Sequence, residues 1–267
     1  MALSNIVTEQ INGVTLITLD DPSTRNALSQ EMGVALYEEF DRFEADPAAR
    51  VLVLTGRDPA FCSGANVRRF NETIEEREAQ RGSAEVDSDF GFVSNIPLRV
   101  NQITKPTIAA VNGYAIGVGL GLALSCDIRL ASDKAEFAEA FVRMGLVPGD
   151  GSTWQLPRLI GLSNTYLLQY TGDRIDAVEA LRMNLVSKVF PHEAMMGETM
   201  QLAERLAHGA TYAMLLTKQL VQQSMGLGLE ESLRLAQAAQ EQARGSHDHK
   251  EAVQAFLEKR KPGFEGR

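Results

Sequence analysis

Gly117, Gly119 and Gly121 stand at alternate positions between an apolar run, Thr107–Val111, and a small-residue stretch that ends at Cys126-Asp127. The run reads as a strand, Asn112-Gly113 as a turn, and the remainder as the start of a helix. Strand, turn, glycines and helix together bring backbone N–H groups up to a developing negative charge. A core helix packed closely on a neighbour would use the same glycines, so this segment alone does not decide. A second segment, Phe61-Cys62-Ser63-Gly64-Ala65-Asn66, follows the buried-strand run at 51–55 and offers another exposed N–H beside a glycine. Two loops donating one N–H each are what an oxyanion hole for a carbonyl or thioester enolate requires.

Several further pieces occur in order along nearly the whole chain. They are Arg25-Asn26-Ala27-Leu28, Phe61-Cys62-Ser63-Gly64-Ala65, the run from Lys105-Pro106 through Asn112-Gly113, and Cys126-Asp127. Gly145-Leu146-Val147-Pro148, Leu156-Pro157-Arg158, Thr171-Gly172 and Phe256-Leu257-Glu258-Lys259-Arg260 follow. In these pieces and their order the chain resembles the crotonase family, also called the enoyl-CoA hydratase/isomerase family. The resemblance implies an α/β fold: a crotonase-like spiral of ββα turns with a C-terminal helical trimerisation region. It implies an acyl-CoA thioester as substrate, with coenzyme A as part of that substrate and no prosthetic group. It places the oxyanion donors on the backbone N–H groups of Ala65 and Val118. Val118 stands where the family usually carries glycine, which narrows the pocket and leaves the backbone donor in place. Phe256 and Lys259 match positions that contact coenzyme A, often from a neighbouring subunit, although Lys259 also reads as an exposed lysine in a charged run. Asn66 replaces an aspartate common after the oxyanion alanine; Asn66, Val67 and Phe70 are expected beside the adenine or pantetheine entrance.

The proton carriers depart from the family. Its hydratases use two glutamates, and matched residue by residue those positions fall on Gly121 and Phe141, neither of which can carry a proton. Asp150, after Val147-Pro148-Gly149, is the best substitute, in a loop that in the family borders the acyl pocket. A carboxylate beside apolar walls has a raised pKa and can exchange protons with carbon. An aspartate before a helix is also ordinary capping chemistry. Glu139, two residues before Phe141, is the second candidate, with a surface position in the acidic patch at 136–139 the expected alternative. One carboxylate suffices to shuttle a proton between two carbons, whereas adding water normally asks for a second group. The residue count therefore favours double-bond isomerisation. Enoyl-CoA hydration by a non-standard acid/base set is the alternative. So are carbon–carbon hydrolysis of a β-diketone, weakened by Phe141 where such an enzyme carries histidine, and a non-catalytic acyl-CoA binder. Asp127 is expected to be structural. His192 is expected at the surface, and a Ser/His/Asp triad has little support.

These residues need elements to hold them. Asn12-Gly13 between residues 6–8 and Val14–Leu19 is a hairpin signal. Ser29 caps a helix with the apolar face Met32, Leu36, Phe40 and Phe43. Val51-Leu52-Val53-Leu54 is a buried strand, residues 71–89 are a polar helix and loop, and Phe92, Ile96, Val100 and Ile103 have helical spacing. Strands are expected at 128–131 and 186–190, and helices at 152–159, 162–170 and 177–183. From Glu193 onward only helices are expected, with breaks at Gly209, Gly226–228 and Gly245-Ser246. The division is a spiral core with the acyl-CoA site at 1–195 and a helical oligomerisation region at 196–267, assembling as a homotrimer or a dimer of trimers.

Net charge is −9, which argues against a general phosphate-binding surface and so against nucleic acid. Cys62 and Cys126 have no metal-ligand spacing, and the 4 histidines form no cluster, so no metal site is expected. The polar opening at 1–10 reads as no signal peptide. The glycines, Asn112 and Asp127 turn the apolar stretch at 107–126 away from a membrane span, which needs about 20 predominantly apolar residues. A cytoplasmic protein is expected.

Overall fold

The computed structural model describes residues 5–66 and 89–267, so the polar stretch expected from residue 71 lies outside the described residues up to 88. Strands β1 (Ile6–Ile11) and β2 (Val14–Leu19) form the expected hairpin, with Asn12 and Gly13 at φ 50° and 81° as its tight turn. Helix α1 (Gln30–Ala45) begins at Ser29, whose hydroxyl accepts the Met32 N–H at 3.1 Å. Its buried face is Met32, Leu36, Phe40 and Phe43. Lys105 closes the far end by donating to the carbonyls of Phe43, Asp46 and Ala49.

The chain then repeats one manoeuvre. β3 (Val51–Gly56) is followed by β4 (Ala60–Cys62), β5 (Thr107–Val111) by β6 (Tyr114–Ile116), and β7 (Ile128–Ser132) by β8 (Glu136–Ala138). The first strand of each pair joins a six-stranded sheet of order β1-β2-β3-β5-β7-β10, with β10 at Lys188–Phe190. The second joins a four-stranded sheet of order β4-β6-β8-β9, with β9 at Ile175–Asp176. Helices α2 (Asp89–Asn101), α3 (Val118–Leu124) and α4 (Ser152–Thr171) return the chain between turns. Successive partners β3–β5–β7 and β4–β6–β8 are parallel, so the path is a ββα spiral. Helix α4 breaks at Gly161 (φ 76°) and stops at Gly172 (φ 63°). α5 (Ala177–Arg182) follows β9.

Period-two alternation divides β3 between two cores. Leu52 and Leu54 pack with α1 and α3 between the sheets; Val51 and Val53 pack with Met195, Ala203 and Ala207 of α6 (His192–Ala207). Helices α7 (Thr211–Ser224), α8 (Leu229–Gly245) and α9 (His247–Glu258) complete the chain, separated at the expected glycines. Asp127 is structural, as expected: its carboxylate accepts the Thr107 N–H at 2.8 Å and pairs with Lys218 at 2.9 Å. Among the described residues, no helix is long and apolar enough to cross a membrane.

Candidate active site

Two loops meet at the ends of adjacent strands. The first, residues 63–66, leaves β4 and is pinned to the loop before α1. The Ser63 N–H donates to the Arg25 carbonyl at 3.0 Å, the Ser63 hydroxyl to the Thr24 carbonyl at 2.9 Å, and the Leu28 N–H to the Gly64 carbonyl at 2.8 Å. Asn26 holds the other wall: its amide nitrogen reaches the carbonyls of Arg57 and Ala60, both at 2.7 Å. Leu28 and Ala65 form a parallel bridge. In that pattern the flanking Gly64 carbonyl serves Leu28, so the Ala65 N–H is turned away from it.

The second loop is Gly117, at φ 53° and ψ −124°, a conformation that glycine adopts at low cost. Its N–H is held by the Ala138 carbonyl at 2.8 Å, and the first bond of α3 runs from the Gly121 N–H to the Gly117 carbonyl at 3.0 Å. The Val118 N–H therefore lies ahead of the helical ladder. The two loops are neighbours because β4 and β6 pair, Cys62 with Ala115. They are also close: a Cβ on Gly119 would stand 2.2 Å from the Cys62 carbonyl oxygen.

Two carboxyl groups are buried here, and one of them, Asp150, lies against α3. Asp150 is 2% exposed, and its Oδ1 accepts the Ser152 N–H at 3.1 Å, while Oδ2 has no protein partner. Capping and a free oxygen thus coexist in one side chain. Glu139 is 0% exposed with neither carboxyl oxygen hydrogen-bonded, which corrects the expected surface position. The reason is local. Glu139 directly follows the buried Phe137 and Ala138 of β8 and precedes the 3-10 turn Ala140–Met144, and it is Glu136, at the start of β8, that is partly exposed and pairs with Arg174 at 3.1 Å. Burial pushes the Glu139 carboxyl well above the usual range, and the Asp150 charge adds to this, against a smaller opposing pull from the Ser152 hydroxyl. Burial also raises Asp150, offset in part by Ser152.

Gly121 explains how Asp150 fits. A Cβ at 121 would stand 2.6 Å from the Asp150 Oδ2 and 2.7 Å from its Cβ, so the carboxyl occupies the room where a side chain on α3 would begin. Phe141 packs its ring 3.6 Å from where a Gly117 Cβ would stand. Two amides and two buried carboxyls are the parts needed to hold an enolate and move protons to and from it.

Known proteins share both the sequence and this architecture. The family model described as enoyl-CoA hydratase/isomerase matches residues 9–267. The chain belongs to the enoyl-CoA hydratase/isomerase family. It is 34% identical over 272 residues to a short-chain-enoyl-CoA hydratase of Clostridium acetobutylicum, covering 100% of both chains. It is 32% identical to a 2,3-dehydroadipyl-CoA hydratase of Escherichia coli, covering 99% of this chain and 100% of that one. Among solved structures, an enoyl-CoA hydratase from Bacillus anthracis superposes with a TM-score of 0.90 at 30% identity, covering 98% of this chain and 100% of that one. The fold is the crotonase fold, and the chain is an enzyme of this family.

Asn66 follows Ala65 directly and is half-buried. Val67 and Phe70 lie outside the described residues. Phe256 is 83% exposed on α9, and Lys259 is the exposed residue that ends it at φ 57°. The chain beyond them is tied to Asp248, which accepts the Glu265 and Gly266 N–H groups, and to Arg50, which donates to the Phe264 carbonyl.

His192 also departs from expectation. It is half-buried, with Nδ1 3.0 Å from the Ser132 hydroxyl and Nε2 3.2 Å from the Asp58 carboxylate. Residues 60 and 134 positions apart in sequence gave no local signal for this chain of contacts. It is no nucleophilic triad: the Ser132 side chain is buried and its hydroxyl already accepts the Lys134 N–H at 3.0 Å.

Proposed function

We propose that this enzyme holds the carbonyl oxygen of an enoyl-CoA thioester between the N–H groups of Ala65 and Val118, and that Asp150 moves a proton beside the resulting enolate. The observation that carries this is the Asp150 carboxyl filling the space beside Gly121, with one oxygen unpartnered. A carboxylate absent from the helix is thereby returned in space from the following loop. Loss of one such N–H donor costs other enzymes roughly 2.7–4 kcal/mol, so the amides supply the larger share and the carboxyl the proton.

Hydration is the first reading. The relatives named above are hydratases, and a second carboxyl, Glu139, is buried in Asp150's electrostatic reach. Isomerisation needs only one carboxyl and is the second reading. Carbon–carbon hydrolysis has less support, since Phe141 offers no base. Asn66, Val67, Phe256 and Lys259 are proposed to contact coenzyme A, the last two from a neighbouring copy in a trimer or dimer of trimers.

The test is to incubate the protein with 2-enoyl-CoA and 3-enoyl-CoA in deuterated water and follow hydration, double-bond migration and deuterium incorporation. Asp150→Asn is expected to lower turnover by about 10²–10⁴-fold while thioester binding persists. Unchanged turnover in that variant overturns the assignment of Asp150. Binding without any turnover or exchange by the unaltered protein would instead identify a non-catalytic acyl-CoA binder.

A further inference from the structure

We infer that Asn112 and Asn26 are positioning residues for the two amides: their side chains grip one backbone carbonyl, that of Ala60, and through it fix how far apart the Ala65 and Val118 N–H groups stand. The inference rests on the reading of those amides given above and deepens it.

The amides ride on neighbouring strands, Ala65 just beyond β4 and Val118 just beyond β6. The pairing of these strands is too slight to set their spacing. Ala60 pairs with Tyr114 and Cys62 with Ala115, and the register shifts between the two pairs. Two residues of β4 thus advance where β6 advances one. Such an irregularity bends the longer strand, so the direction in which β4 leaves it must be held from outside the ladder.

The Ala60 carbonyl is where it is held. The Asn26 side-chain nitrogen donates to it at 2.7 Å and the Asn112 side-chain nitrogen at 3.3 Å. Both asparagines are buried, at 0% and 5% exposure. Asn112 comes from the turn between β5 and β6, so it ties down the origin of the strand that leads to Val118. Its nitrogen also donates to Asp58 Oδ1 at 2.8 Å, and its oxygen accepts the Gly56 N–H at 3.3 Å. Asn26 comes from the loop before α1, whose Thr24 and Arg25 carbonyls and Leu28 N–H hold residues 63 and 64 beside Ala65. Its oxygen accepts the Asp21 N–H at 2.9 Å. In each side chain the oxygen is committed to an N–H, so the nitrogen faces Ala60. The surroundings are tight. A Cβ on Gly56 would stand 2.3 Å from the Ala60 oxygen, and one on Gly113 would stand 2.1 Å from the Pro59 oxygen.

One carbonyl therefore joins the two paths. A shift of Ala60 moves β4 against β6, and with it Ala65 against Val118. Both donors must lie about 2.7–3.1 Å from the same oxygen to stabilise its charge. A misplacement of about 1 Å can cost about 10²-fold in rate. The loss falls on the enolate, whose oxygen carries the charge, more than on the neutral thioester.

The test uses acetoacetyl-CoA, which loses an α-proton to give an enolate with its own near-ultraviolet absorbance and needs no turnover. Two aligned amides favour that enolate, so the bound probe is expected to reach half-conversion at a lower pH than the free one. Asn112→Asp keeps the size and the acceptor for Gly56 and loses both donated bonds. In it, and in Asn112→Ala, that pH is expected to rise by about one unit, a loss of about tenfold in enolate preference. Their kcat for enoyl-CoA is expected to fall about tenfold or more, with KM within a few fold. Ser29→Ala, which removes a helix cap and no tie to Ala60, is expected to shift neither. Asn112 variants that lose only Tm, with the enolate titration and kcat unmoved, overturn the inference. If neither folds, Asp58→Ala decides. It alters an exposed position and removes one partner of Asn112, and it is expected to weaken enolate preference about two- to threefold. An unmoved titration there overturns the inference. Failure of the underlying reading looks different, because the unaltered protein would then bind the probe without favouring its enolate.

Discussion

Asp150 and Gly121 are packed as one unit: the carboxyl stands where a side chain at 121 would begin. The sequence reveals a helix position without its glutamate; it does not reveal that the vacated space is filled from a loop 29 residues later. That contact is long-range, and no local pattern encodes it. Glu139 is illegible for a related reason. Its acidic neighbours read as a solvated patch, and only its place after the buried Phe137 and Ala138 of the three-residue strand β8 takes it out of solvent. The unit makes a sharp prediction. Gly121→Ala puts a methyl group 2.6 Å from the Asp150 Oδ2 and against the aspartate's own Cβ, which cannot swing away. Turnover is expected to drop about tenfold or more, with a stability loss of about 1–3 kcal/mol. A rate assay and a urea unfolding curve on the same preparation check both. Undiminished turnover would mean that Asp150 need not sit where it does.

Among the elements, those with a clear period were legible and those of three residues were not. The hairpin, the Ser29-capped helix, the buried strand at 51–54 and the C-terminal helices all follow from turn residues, caps and apolar spacing. The four-stranded sheet does not: β4, β6 and β8 have three residues each and β9 two, too short for alternation to register. Yet this sheet brings Ala65 and Val118 to one end of the molecule. Gly119 sets the approach of α3 to β4, since a Cβ there would meet the Cys62 carbonyl carbon and oxygen at 2.8 and 2.2 Å. Gly119→Ala is expected to move the helix and spread the two amides, lowering kcat/KM by about tenfold or more, the cost of a weakened oxyanion donor being up to roughly 10²–10³. Ser29→Ala is the matching control. It removes one cap, should cost about 1 kcal/mol in a urea titration, and should leave kcat/KM unchanged.

For the molecule as a whole, the buried carboxyls tie stability to pH. Glu139's pKa is raised in the folded state, so the folded protein binds the proton more tightly than the unfolded chain. That stabilisation is complete below the unfolded value, 4.5, and is lost as pH climbs through the folded one. Glu139→Gln has no proton to lose. Its Tm is expected to match the unaltered protein at about pH 4 and to exceed it increasingly toward about pH 8, which thermal melts across that range would show. The thiols are silent over the same range. Burial pushes both Cys62 and Cys126 up to about 12, and both are enclosed in the core. Neither should react with a thiol-alkylating reagent at about pH 8 until denaturant is added, and mass spectrometry would reveal any early modification. The pairing of Gly121 with Asp150 also bears on ancestry. On the proposed role of Asp150, a chain with its acid on the helix and one with its acid on the loop differ by two changes. Making either change first leaves a collision or an empty seat. The interval between them is a valley in sequence space, and a chain that has crossed it has no easy way back.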